Sequence, residues 1–211
     1  IVLLLLSHWP LGETEESGKP RRFSWIAVFG MLPLFAISLL SVYVTMPVMK
    51  PLLSDTPVSL RIQLSLRAFY TYLPTLFVPE GLACFYPIPD SISSTETAVA
   101  GGMLLLLCGA SLYFLHKVPP LFVGWWWYVT AMIPIALNAQ LFSAADRYAY
   151  WPFIGLYICL AWSLDALVRR FRFPAPVAVS LAIVFIAFLS IVSWNQTAYW
   201  KDSFALFQRA I

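Results

Sequence analysis

Charge is what this chain lacks most: only 11% of its 211 residues are Asp, Glu, Lys or Arg, against about 25% in a soluble domain. The 13 basic and 10 acidic residues leave a net charge of +3 scattered over several short segments, so a nucleic acid finds no continuous basic face. Cys84, Cys108 and Cys159 are too few and too dispersed for a disulfide framework or a metal site; two of them fall inside apolar runs and read as small packing residues. His8 and His116 stand alone and are assigned to no metal. The first ten residues, "IVLLLLSHWP", carry no initiator Met, basic leader region or cleavage site, and "WKDSFALFQRAI" stops in a helical pattern. The expectation is a piece of a longer protein.

What is present is apolar. Hydrophobic residues make up 61% of the chain, and the mean hydropathy is +0.79. Crossing a bilayer takes about 20 apolar residues, and five runs approach that length: 23–46, 98–115, 119–137, 151–168 and 174–194, with 1–6 as the tail of a sixth. The fold expected is all-α, a polytopic transmembrane helical bundle occupying 1–194, with 195–211 opening a helical region outside the membrane. Short cytoplasmic loops collect positive charge. Lys19, Arg21 and Arg22, then Lys117, then Arg169, Arg170 and Arg172 occupy alternate loops, which places them inside. Asp146, Arg147 and the C-terminus are then outside. The protein is expected in a bacterial inner membrane or an endoplasmic reticulum membrane.

Residues 61–78 would invert this topology if counted as a span. Their spacing instead gives an amphipathic helix on the outer face, with Ile62, Leu66, Phe69, Tyr70, Leu73 and Phe77 on one side and Gln63, Arg67 and Thr71 on another. Pro74 predicts a kink or a break. Trp151, Trp194, Tyr199 and Trp200 fall at outer boundaries, where amphipathic rings settle. Gly101 and Gly102 mark close helix packing, and Asp165 with Arg169 forms a modest helical surface pair. Asn195, Gln196 and Thr197 fit a glycosylation sequon.

The segment "SAADRYAYWPFIGLY" sets an acid beside an arginine between two apolar runs. A charge at the bilayer centre costs about 2.5–3.5 kcal/mol, so Asp146 and Arg147 belong at the outer mouth. There they either solvate the junction, with Pro152 in the first turn of the next helix, or bind something. Tyr148, Tyr150 and Trp151 follow, and Asn138, Gln140 and Ser143 precede. This group offers a guanidinium fork for phosphate oxygens and aromatic faces for a sugar or isoprenoid.

The stretches "ADRYAYWPFIGLY", "NQTAYWKDSFALFQRAI" and "LRAFYTYLPTLFVPEGLACFYPIPD" resemble the C-terminal membrane part of transmembrane and tetratricopeptide-repeat O-mannosyltransferase-like proteins, members of the C-type glycosyltransferase superfamily. The resemblance covers residues 67–211, and its strongest motif is Asp-Arg-Tyr-x-Tyr-x-Pro at 146–152. It implies a donor sugar on a polyprenyl phosphate, transferred on the outer face to a hydroxyl of a protein or glycan. Arg147 would bind the lipid phosphate, Asp146 would orient it, and Tyr148 and Tyr150 would line the site. The family's catalytic acids lie in a first extracytoplasmic loop that this chain does not include. Asp55, Glu80, Asp90 and Glu96 match none of them, so the chain alone is expected to be inactive. Three function classes stand at this point. A glycosyltransferase requires acids upstream of Ile1; a non-catalytic scaffold presenting a tetratricopeptide-repeat array requires that array downstream; a transporter or polysaccharide ligase requires polar residues in mid-span, where this chain is apolar.

Overall fold

The computed structural model describes residues 2, 5, 6, 25–53, 57–79, 82, 86, 92–137, 145–198 and 201. Among them the regular structure is all helix: α1 Trp25–Leu53, α2 Val58–Thr75, α3 Ser94–Tyr113, α4 Pro119–Leu137, a short 3₁₀ turn Asp146–Tyr148, α5 Tyr150–Arg170 and α6 Ala175–Thr197. The chain divides into two units, Ile1–Pro57 and Val58–Ile211.

In the first unit, α1 exposes apolar side chains on every side over Leu32–Thr45. Two of its hydroxyls are satisfied inside the helix: Ser38 donates to the Leu34 carbonyl at 2.9 Å and Thr45 to the Ser41 carbonyl at 2.8 Å.

The second unit is organised around α4. Val123, Trp125, Trp127, Tyr128, Met132 and Ala136 are all buried, so this helix is covered on several sides. Against α5 it packs backbone to backbone. A Cβ at Gly124 would lie 2.4 Å from the Gly155 carbonyl oxygen and 2.7 Å from the Cys159 nitrogen, and one at Gly155 would lie 2.5 Å from the Gly124 carbonyl oxygen. Only two glycines facing each other permit this approach. Close packing was expected at Gly101 and Gly102, and there the structure differs. Gly101 meets only Leu66, at an ordinary 3.7 Å, and Gly102 faces open space. The glycine pair that works is split between two helices, where adjacency in sequence gives no sign of it.

The buried edge of α2 also differs from the expected one. Leu64, Ala68 and Tyr72, continued by Leu76 just past the helix end, form the buried spine, while Ile62 and, beyond the helix, Phe77 stay 54% and 46% exposed. Ala68 is small enough to let the helix settle close, and α2 is fixed to α4 by two polar bonds. Ser65 donates to the Ala136 carbonyl at 2.9 Å, and the Tyr128 hydroxyl donates to the Phe69 carbonyl. Pro74 lies in the last turn, where its carbonyl accepts from Phe77 and Val78, so it terminates the helix.

Three helices among the described residues are long and apolar enough to cross a membrane: α3, α5 and α6. The last is the clearest case. Its 23 residues carry no charge, and none of its most apolar 18-residue window is buried by the rest of the chain. An apolar helix without a polar face has no stable place in water.

Candidate functional site

Ala145 enters the site in extended conformation, with φ −154° and ψ 126°. The chain then tightens into the 3₁₀ turn: Tyr148 N–H donates to the Ala145 carbonyl and Ala149 N–H to the Asp146 carbonyl, both at 3.0 Å. Phe153 N–H takes the Ala149 carbonyl at 2.9 Å as α5 begins. Pro152, fully buried, occupies the first turn of α5, where its missing N–H costs nothing.

Two tyrosines from distant parts of the chain hold this turn. The hydroxyl of Tyr72 donates to the Ala145 carbonyl at 3.0 Å and accepts from the Ala145 N–H at 2.9 Å. Both residues are buried, Tyr72 at 1% exposure and Ala145 at 0%. Burial pushes the Tyr72 phenol up to about 12, against a smaller opposing effect of the Ala145 backbone bond. Desolvation disfavours the phenolate, so the clamp stays a neutral hydroxyl. Tyr86 also reaches the turn and donates to the Asp146 carboxylate at 3.0 Å.

The side chains of the turn part from there. Asp146 is half-buried, whereas Arg147 is exposed, with Nη2 3.2 Å from the Tyr148 hydroxyl and its guanidinium carbon 4.9 Å from that ring's centroid. A guanidinium lying over an aromatic face is held there by the ring's quadrupole and keeps the planar fork that suits oxyanions. Tyr148 and Tyr150 are themselves exposed. Trp151 packs against Trp127 with the rings tilted and 5.4 Å between centroids, and its carbonyl accepts from the Trp127 indole at 3.0 Å. The structure thus brings Asp146, Arg147, Tyr148 and Tyr150 to the head of α5. Asn138, Gln140, Ser143, Asp55, Glu80, Asp90, Tyr199 and Trp200 lie outside the described residues.

Tyr72 and Tyr86 both stand in the stretch that carries the family resemblance, but no role at the site was expected for either. Their partners are 73 and 60 residues away. A second polar cluster lies between α2 and α3. Glu96, in the first turn of α3, accepts from Tyr70 at 2.7 Å and faces Arg67 at 3.5 Å. The Glu96 bond is the main reason the Tyr70 phenol is raised above its ordinary value. An acid suits the positive end of a helix dipole, and this pair ties the two helices together.

Compared with protein-family models, curated proteins and solved structures, the chain matches none. The chemistry open to the turn follows from its own groups: a ring-stacked guanidinium, a carboxylate held by a phenol, exposed phenols, and the positive end of α5. These suit an anion carrying an apolar or sugar moiety.

Proposed function

We propose that this chain is the membrane part of a glycosyltransferase that takes a sugar from a polyprenyl-phosphate donor, with Asp146, Arg147, Tyr148 and Tyr150 forming the donor-phosphate site on the outer face. A 23-residue α6 is about 34 Å long, enough for a hydrocarbon core of about 30 Å. The observation that carries the proposal is the anchored turn: Tyr72 and Tyr86 hold it, and Arg147 is displayed at the N-terminal end of a helix long enough to span a bilayer.

In the reaction, the acceptor oxygen bonds to the anomeric carbon as the bond from that carbon to the phosphate oxygen breaks. The polyprenyl phosphate leaves with the electron pair, and Arg147 stabilises its charge. Asp146 serves to position the turn. The acceptor's proton goes to a carboxylate supplied by the wider protein, as the family resemblance implies.

The test is binding of a lipid-linked sugar donor by the full-length protein. A hydrogen bond to a charged group is worth about 1.5–3 kcal/mol, so Arg147→Ala should weaken binding by about 10- to 150-fold. Arg147→Lys, which keeps the charge and loses the fork, should fall between. Unchanged binding in the alanine variant removes the phosphate-site assignment.

A further inference from the structure

The turn between α5 and α6 closes with the bonds of a Schellman cap: Phe173 N–H donates to the Val168 carbonyl at 3.0 Å and Arg172 N–H to the Arg169 carbonyl at 3.3 Å. The residue at the left-handed position of this cap, with φ 51°, is Arg172. Glycine takes that conformation without crowding a Cβ and is the usual occupant. An arginine there makes the same turn less comfortably, so its side chain calls for a role beyond the turn.

Its surroundings suggest that role. Arg169 is paired with Asp165 at 2.9 Å, whereas Arg170 and Arg172 have no carboxylate partner among the described residues. Between and beyond them Phe171 and Phe173 are 66% and 52% exposed. The turn connects two helices that are each long and apolar enough to cross a bilayer. Lys117, stacked 4.4 Å from the Tyr113 ring, belongs to the same end of the α4 and α5 pair: Gly124 meets Cys159 while Trp127 meets Trp151, so these helices run antiparallel. Exposed cations beside exposed phenylalanines, where apolar helices end, match the border between phosphate headgroups and acyl chains.

We infer that Arg170 and Arg172, flanked by Phe171 and Phe173, form a binding site for the headgroup phosphate of an anionic phospholipid, at the end of the bundle opposite Arg147. The guanidinium groups take the phosphate oxygens and the two rings insert beside the first acyl carbons. This inference rests on the membrane reading of α5 and α6 but not on the glycosyltransferase one.

The experiment places the protein in nanodiscs of phosphatidylcholine with phosphatidylglycerol and reads the retained lipid by native mass spectrometry. Phosphatidylglycerol should be held in preference, and each arginine removed should cost about fivefold, on the order of 25-fold for Arg170→Gln with Arg172→Gln. Arg172→Lys should keep most of the preference. Arg172→Gly separates the two roles: it should keep or raise thermal stability, because glycine suits the cap, while lowering phosphatidylglycerol retention about fivefold. Incorporation with no preference for the anionic lipid, or an unchanged preference in the double variant, overturns the inference and leaves the membrane reading standing. Failure of the folded protein to enter nanodiscs removes both. Equal binding of free glycerol phosphate in lipid-free detergent identifies a soluble-anion site instead and overturns the lipid assignment.

Discussion

Replacing Tyr72 with Phe removes one oxygen atom and keeps the ring, so it isolates the clamp on the turn. The hydroxyl makes two bonds to Ala145, but their loss is unequal. The Ala145 carbonyl also accepts from Tyr148 N–H at 3.0 Å and stays satisfied, while the Ala145 N–H, at a residue of 0% exposure, loses its partner. An orphaned buried donor costs about 1–3 kcal/mol, and the second bond adds about 0.5–1.5 kcal/mol, so the loss should be about 2–4 kcal/mol. For a chain of this length that is a fall in Tm of about 5–15 °C, read by thermal unfolding in nanodiscs. Tyr70→Phe is the control. Its hydroxyl binds Glu96, a residue with a 34% exposed side chain, where water can take its place, and the fall should stay within about 3 °C. Equal small shifts in the two variants would mean that Ala145 does not depend on Tyr72, and would overturn the clamp.

Other outcomes follow from the same geometry. Gly124→Ala forces a Cβ against the backbone of α5 and should destabilise by about 1–3 kcal/mol, whereas Gly102→Ala, with nothing within 4 Å, should be neutral or stabilising in the same unfolding assay. Because the Tyr72 phenol is raised in the folded state from 10 to about 12, its stabilisation is whole below pH 10 and is lost as pH rises towards 12. Unfolding measured across that range should show an alkaline decline that Tyr72→Phe reduces. Tyr86→Phe frees the Asp146 carboxylate from its phenol, and donor binding should weaken several-fold without the stability loss of Tyr72→Phe.

The helical runs were legible because each is a long apolar stretch bounded by charges or prolines. The helix at Pro119–Leu137 coincides with its run, and α6 begins just past Pro174. Less legible was which side of a helix is buried. In α2 aromatic and aliphatic residues occur on several faces, and the choice falls to the spine on which Ala68 permits close packing. The Gly124 and Gly155 crossing was hidden for a similar reason, since each glycine gains meaning only from the helix opposite. At the site, the charged pair and its tyrosines stood out as polar residues in an apolar chain. The Tyr72 clamp did not, because it binds the backbone of an alanine, and a backbone acceptor has no signature in sequence.

The proposed lipid-phosphate site at the head of α5 is tested most directly by photo-crosslinking in native membranes. The probe is an isoprenoid phosphate with a photoreactive group beside the phosphate, and the labelled peptides are mapped. The expected result is labelling within 145–153 that Arg147→Ala abolishes. Labelling concentrated at 169–173, or labelling of 145–153 that survives Arg147→Ala, would contradict it.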